Sequence, residues 1–274
     1  MKQGDLVCRK SYGGDVIFRI QELKRDKAIL KGIDYRLLAD SPTSDLVPAS
    51  GAEYQAMRST HMKVEELIRG QRQRRALQSA PYFEIPGKVL HLDGDPTYLR
   101  KCMAIYGALN IPAEGYYLPE TEMPDALYRL LPRSRPDILV ITGHDGLLKS
   151  GREGGIYHLE NYKNSLNFVR AVAVARQFER NRDALTIIAG ACQSHFEALL
   201  KAGANFASSP ARVLIHALDP LYIAAKASLT SIRETIDVAH VISGTYSGME
   251  GLGGIETRGS HRRGLPKMSQ PADA

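Results

Sequence analysis

Two residues that could support covalent catalysis each follow an apolar run of strand length. His144 comes shortly after residues 137–142, DILVIT, and Cys192 comes shortly after residues 185–189, LTIIA. A cysteine thiolate can attack a carbonyl carbon while an imidazole moves protons to and from the reacting groups. This pair predicts a hydrolase with Cys192 as the nucleophile and His144 as the acid–base.

The elements around the pair predict an α/β fold with an open, mostly parallel sheet flanked by helices. Apolar runs alternate with helical patterns, as expected of buried parallel strands. Ligands bind beyond the carboxyl ends of such strands, and neighbouring ends lie about 5 Å apart. Cys192 also precedes a predicted helix, whose positive end would lower the pKa of the thiol. The predicted strands are 89–92, 115–118, 137–142, 185–189 and 213–218, and the predicted helices are 98–109, 124–131, 162–180 and 193–202.

Three regions are predicted along the chain. Residues 1–50 contain short β-prone runs separated by turn residues, which indicates a small SH3-like β-barrel that binds rather than catalyses. Residues 51–86 read as a basic helical linker, in which Arg72, Arg74 and Arg75 are either a solvated helix face, the favoured interpretation, or sites of self-cleavage. Residues 87–274 form the α/β domain with a basic tail, and residues 243–254 are predicted to be a mobile glycine-rich loop.

Composition excludes several classes of protein. The longest apolar runs are strand-sized, far below the roughly 20 residues of a membrane span, and no secretory leader is recognised at the N-terminus, so an intracellular protein is expected. The net charge of +6 is small for a nucleic-acid binder. The three cysteines are widely spaced, which predicts no disulfide and no zinc site, and Cys8 and Cys102 are expected to be structural. No cofactor is expected.

The spacing of the pair resembles that of caspase-type proteases. His144 stands 48 residues before Cys192, and caspases place their histidine about 50 residues before a QAC[RQG]G block. This chain keeps the Ala-Cys-Gln centre of that block but has Asp145 where a glycine follows the caspase histidine.

Longer blocks resemble the YabG sporulation protease family, from Gly4 to about Arg258. The resemblance implies a caspase-like cysteine endopeptidase, related to clostripain and gingipain, with His144 and Cys192 as its dyad. It implies synthesis in the cytoplasm of the mother cell, association with the forming spore coat, and cleavage of coat and cortex-associated proteins beside Arg. The blocks are GDLVCRKSYGGDVIFRI, LKGIDYRLLADSPTSDL, ITGHDG and AGACQSHFEALLKAGANFASSPARVLIHALDP.

Specificity for Arg requires a carboxylate that can bind a guanidinium. Clostripain-like enzymes have Asp two residues before the cysteine, where this chain has Gly190, so the acid must come from elsewhere. Asp93 and Asp95 are the first candidates because a predicted strand leads directly to them, and Asp145 is the third. Further acids on predicted loops are Glu153, Glu250 and Glu256.

Two other functions are left open by the residues. The segment around Cys192 also resembles the cysteine turn of class I glutamine amidotransferases, although no downstream His has Glu two residues later. A non-enzymatic scaffold is the second alternative, in which the barrel and the basic segments bind an acidic partner. Nucleic acid is not expected, because no aromatic residues are interleaved with the basic ones. In a protease, the barrel is expected to recruit assembled substrates and to be dispensable for cleavage of peptides. The oligomeric state is left open.

Overall fold

The computed structural model describes residues 1–51, 62–76, 82–148 and 155–265. The N-terminal part folds into a five-stranded antiparallel sheet with the order β4-β3-β2-β1-β5. Alternate residues of its strands, among them Val7, Phe18 and Leu30, form a small apolar core. The prediction of N-terminal β-structure is confirmed. The strands are β1 (Leu6–Arg9), β2 (Phe18–Lys24), β3 (Lys27–Gly32), β4 (Leu38–Pro42) and β5 (Leu46–Pro48).

A helix, α1 (Met62–Ala76), lies within the predicted linker. Its Val64 is buried, and Leu67 and Ile68 on the same face pack against the core of the α/β unit. Residues 52–61 and 77–81, which complete the predicted linker, lie outside the described residues. The helix is therefore attached to the α/β unit along one apolar face.

The second sheet has six strands in the order β13-β11-β10-β9-β7-β8. Five of them are parallel, and the edge strand β13 runs antiparallel to β11. This confirms an α/β fold with a mostly parallel sheet flanked by helices. The strands from residue 82 onward are β6 (Phe83–Ile85), β7 (Val89–Asp93), β8 (Ala113–Tyr117), β9 (Ile138–Thr142), β10 (Thr186–Ala189), β11 (Phe206–Ser208), β12 (Thr235–Ile236), β13 (Leu252–Gly254), β14 (Thr257–Arg258) and β15 (Arg262–Gly264). The helices are α2 (Pro96–Leu109), α3 (Met123–Ser134), α4 (Ser165–Phe178), α5 (Phe196–Ala202), α6 (Asp219–Leu229), α7 (Val238–Ser243) and α8 (Gly248–Gly251).

Both faces of this sheet are covered, which explains the continuous apolar runs of the sequence. Every residue of β9 is buried. Val140 belongs to the core cluster that includes α2 and α6, while Leu139 and Ile141 belong to the cluster that includes α3 and α4. The strand order reverses between β7 and β9, and this reversal is where doubly wound sheets bind ligands.

Two sequence predictions about the C-terminal half are wrong. Residues 213–218 do not join the sheet. They follow a turn in which Ser209 and Arg212 have positive φ, and the N–H of Ile215 within them donates to Sγ of Cys192. The sheet is completed by the short strands β11 and β13. The glycine-rich stretch 243–254 is not a loop throughout, because it contains α8 and β13. A side chain at Gly254 would overlap the ring of Phe206 on the neighbouring strand, which explains that glycine.

Other predicted elements are confirmed, with ends that differ by a few residues. The predicted helix 162–180 is Ser165–Phe178, and the predicted helix 124–131 is Met123–Ser134. Cys8 and Cys102 are buried in β1 and α2, as predicted. Within the described residues, no helix combines the length and the apolar character needed to cross a membrane.

Candidate active site

The carboxyl ends of β7, β9 and β10 lie side by side at one edge of the six-stranded sheet. Asp93, the last residue of β7, is level with Thr142 of β9, and Ile141 of β9 is level with Ala189 of β10. His144 lies in the loop after β9, and Cys192 lies in the loop after β10. The fold therefore places both predicted catalytic residues at the same edge, in loops that follow neighbouring strands.

His144 lies between two carboxylates. Its main-chain N–H donates to Oε1 of Glu120 at 2.7 Å, and its Nδ1 is 3.7 Å from the same oxygen. Its Nε2 is 3.5 Å from Oδ2 of Asp95. The imidazole is mostly buried, so these carboxylates act through little solvent.

The thiol of Cys192 is enclosed. Its residue is 1% exposed, and its Sγ accepts a hydrogen bond from the main-chain N–H of Ile215 at 3.3 Å. Burial raises the pKa of the thiol to about 11, although the nearby N–H groups of Ile215 and Arg36 favour the thiolate. The predicted lowering of this pKa is wrong, because α5 begins four residues later, at Phe196. Among the described residues, no hydrogen bond joins this thiol to the imidazole of His144.

Asp145 connects the loop of His144 to the loop of Cys192. Its carboxylate accepts hydrogen bonds from the hydroxyls of Ser194, at 2.8 Å, and Ser165, at 2.5 Å. It also accepts from the main-chain N–H groups of Gly146 and Asn164. Burial raises the pKa of this carboxyl even so. With four donors on its two oxygens, Asp145 holds the two loops together and is not open to a substrate.

Asp93 binds a guanidinium that comes from the N-terminal sheet. Nη1 of Arg36 lies 2.6–2.7 Å from both oxygens of Asp93, and Nη2 donates to the carbonyl of Ala217 at 3.0 Å. Both side chains are fully buried. Burial opposes ionisation of Asp93, but Arg36 outweighs it, and the pKa of Asp93 lies below its usual value. A substrate could reach this carboxylate only by replacing Arg36.

Asp95 also has partners within the protein. Its carboxylate pairs with Nζ of Lys31 at 2.6 Å, again from the N-terminal sheet. It also caps α2 by accepting from the N–H groups of Thr97 and Tyr98. Asp93 and Asp95, the first candidates for an Arg pocket, are thus each paired with a basic side chain of the protein's own N-terminal sheet.

Three residues of this edge were not predicted from the sequence: Glu120, Lys31 and Arg36. The last two belong to a region that was read as a separate binding module. The signal that could have pointed to Glu120 is the pair Gly94 and Gly143, because a side chain at either position would overlap its carboxylate. Of the other predicted acids, Glu153 lies outside the described residues, and Glu250 and Glu256 are exposed.

Comparison with known proteins places this geometry in a family. The family model described as YabG peptidase U57 matches residues 2–266. The sporulation-specific protease YabG of Bacillus subtilis (strain 168) is 46% identical over 287 aligned positions, which cover 97% of this chain and 98% of the relative. The match includes both sheets and all the loops described above.

Proposed function

Because the chain belongs to the YabG peptidase U57 family, we propose that it is a cysteine endopeptidase with Cys192 as its nucleophile and His144 as its acid–base. Family membership makes the chain a peptidase with a role in sporulation. The observation that carries the finer proposal is the position of His144 and Cys192 in loops after the adjacent strands β9 and β10, joined through the Asp145–Ser194 hydrogen bond.

The proposed chemistry requires a base, because the thiol holds its proton at neutral pH. A pKa of about 11 leaves roughly one thiol in 10⁴ ionised at pH 7. The proton of Sγ passes to the imidazole as sulfur attacks the carbonyl carbon of the scissile bond. The imidazolium then gives that proton to the departing amine, and water hydrolyses the thioester to restore the thiol.

The oxyanion of the tetrahedral intermediate needs N–H donors that are not otherwise bonded. The N–H of His144 is bonded to Glu120, and the N–H of Gly146 is bonded to Asp145. The N–H of Cys192 makes no hydrogen bond to another residue among the described residues. We therefore assign that N–H as an oxyanion donor.

Substrate access requires movement of the main chain around the thiol. Cys192 is covered by Ile215 and lies beside Arg36. The enclosed thiol is consistent with an enzyme that opens when a substrate binds.

We propose that the substrates are spore-coat and cortex-associated proteins cut beside Arg. Of the three predicted pocket acids, Asp93 is the one that binds a guanidinium, that of Arg36. Arg preference through Asp93 requires that a substrate arginine replace Arg36, whereas Asp95 and Asp145 are held by other partners. A caspase-like peptidase domain over residues 87–274 and an SH3-like barrel over residues 1–50 are part of the same proposal.

Substitution of the dyad tests the proposal. Cys192→Ala and His144→Ala are each expected to abolish cleavage of a protein substrate, with Cys102→Ala, another buried cysteine, as the matched control. His144→Ala also separates the amidotransferase alternative, which needs a downstream histidine and should not need an upstream one. Full activity of Cys192→Ala, or of His144→Ala, would exclude the proposed mechanism.

A further inference from the structure

One carboxylate contacts both the main chain and the ring of His144. Oε1 of Glu120 accepts the N–H of His144 at 2.7 Å and lies 3.7 Å from Nδ1. Glu120 belongs to the connection between β8 and α3, 24 residues before His144. The loop between β8 and α3 thus places the side chain of Glu120 against His144 at the edge of the sheet.

Two glycines make room for this carboxylate. A Cβ atom at Gly94 or at Gly143 would overlap Oε1 of Glu120. Neither glycine has a positive φ, so backbone conformation does not explain them. The positions just after β7 and β9 therefore have no side chain where Glu120 approaches, and this leaves a space that fits its carboxylate.

The charge of Glu120 is directed at His144. Among the described residues, Glu120 forms no ion pair with a Lys or an Arg, and the basic side chain nearest to its carboxylate is the imidazole of His144. Burial opposes its ionisation, but the hydrogen bonds of His144 outweigh burial and lower the pKa of Glu120. Asp95, on the other side of the ring, differs because Lys31 already neutralises it.

We propose that Glu120 positions His144 for catalysis by holding the proton on Nδ1 and by stabilising the imidazolium. This inference rests on the proposed role of His144. Nε2 then exchanges the proton: it takes it from Sγ of Cys192 and returns it to the departing amine. Glu120 stays ionised throughout, so the proton count of the reaction is unchanged. A carboxylate that fixes tautomer and orientation in this way acts through the histidine.

Glu120→Gln is the first test, because glutamine keeps an acceptor for the N–H of His144 and removes the charge. We expect kcat to fall roughly 10- to 100-fold, a share of the 10²–10⁴ that acid–base catalysis supplies, with KM changed by less than about twofold. The loss should appear in kcat and not in KM, because Glu120 contacts the imidazole and not the substrate. Glu122→Gln, the same change at an exposed residue two positions away, should behave as wild type.

Gly94→Ala is the second test and leaves Glu120 chemically intact. The new methyl group overlaps the end of the flexible Glu120 side chain, and the nearest main-chain atom, Cα of Gly143, is 3.2 Å away, so the carboxylate should be displaced while the fold is kept. We expect a similar loss of kcat, and the double variant should lose no more than the larger single loss, because both changes act through one contact.

The outcomes separate this inference from the proposed function. Wild-type kcat in Glu120→Gln, with Cys192→Ala and His144→Ala inactive, would overturn the role of Glu120 and leave the dyad standing. Activity in His144→Ala would overturn both. A simple stability loss in Gly94→Ala, with unchanged kcat, would also contradict the inference.

Discussion

Two aspartates at neighbouring strand ends, one fully buried and one half-buried, are held in different ways. Asp93, at the end of β7, binds the guanidinium of Arg36, and its pKa is lowered. Asp145, after β9, is bound by hydroxyl and N–H groups, and its pKa is raised by burial. The comparison teaches that the four neutral donors of Asp145 do not offset burial of its carboxylate, whereas the cation of Arg36 does offset burial at Asp93.

The cations at the β7 end come from a different part of the chain. Arg36 is 57 residues before Asp93, and Lys31 is 64 residues before Asp95. Asp145, after β9, by contrast accepts its hydrogen bonds from residues of the α/β unit alone. Removal of residues 1–50 would leave two buried carboxylates without their cations. The sequence predicted this region to be dispensable for cleavage of peptides; from the structure we instead expect it to be needed for cleavage of peptides as well as of large substrates.

Loss of the cation at the β7 end should have the largest effect. Arg36→Ala leaves Asp93 buried without its cation, and we expect a loss of about 3–5 kcal/mol in the free energy of unfolding. Urea titration measures it. Arg19→Ala, which removes an exposed arginine of the same sheet, should cost less than about 0.5 kcal/mol. Similar values for the two variants would show that the buried pair contributes nothing specific.

Loss of one neutral donor at the β9–β10 end should have a smaller effect. Ser194→Ala removes one of the four hydrogen bonds to Asp145 and the acceptor for the N–H of Ala191. We expect a loss of about 1–2 kcal/mol in the free energy of unfolding. We also expect lower kcat, because the loops of His144 and Cys192 are less firmly joined. Ser243→Ala, at an exposed serine, is the control; an equal loss there would contradict the bracing role of Asp145.

The pH dependence of the free energy of unfolding should have opposite signs for the contributions of Asp93 and Asp145. The folded pKa of Asp93 is lowered, so its contribution is present above about pH 4 and is lost as pH falls through the folded value. The folded pKa of Asp145 is raised, so protonation favours the folded state, and that contribution is lost as pH rises through the folded value.

The measurement compares unfolding free energies between pH 3 and pH 7. The advantage of wild type over Asp93→Asn should shrink on acidification, and its advantage over Asp145→Asn should grow. The same sign for both variants would show that the two environments do not differ as described.

Much of the α/β fold could be predicted because its strands are buried on both faces. The run Ile138–Thr142 is apolar throughout, and such a run identifies a strand without any tertiary information. Two strands of the six-stranded sheet were not predicted, and they have three residues each: Phe206–Ser208 and Leu252–Gly254. A run that short shows no periodicity, and the glycines of Leu252–Gly254 are explained only by the neighbouring Phe206 ring.

The candidate site was predicted in part for a similar reason. His144 and Cys192 follow recognisable strands, so their position at the sheet edge could be inferred from topology. The protonation state of Cys192 could not, because its burial depends on Ile215, 23 residues later, and on Arg36. Glu120 follows a half-exposed strand and carries no local signal of its role.

The sequence alone determined where strands end and which reactive side chains follow them, because burial imposes a local pattern on each strand. Tertiary structure decided which charges meet. Arg36 and Asp93, or Glu120 and His144, are far apart in sequence, and no periodicity links them. Their energies depend on distance and desolvation in space, which exist only once the chain has folded.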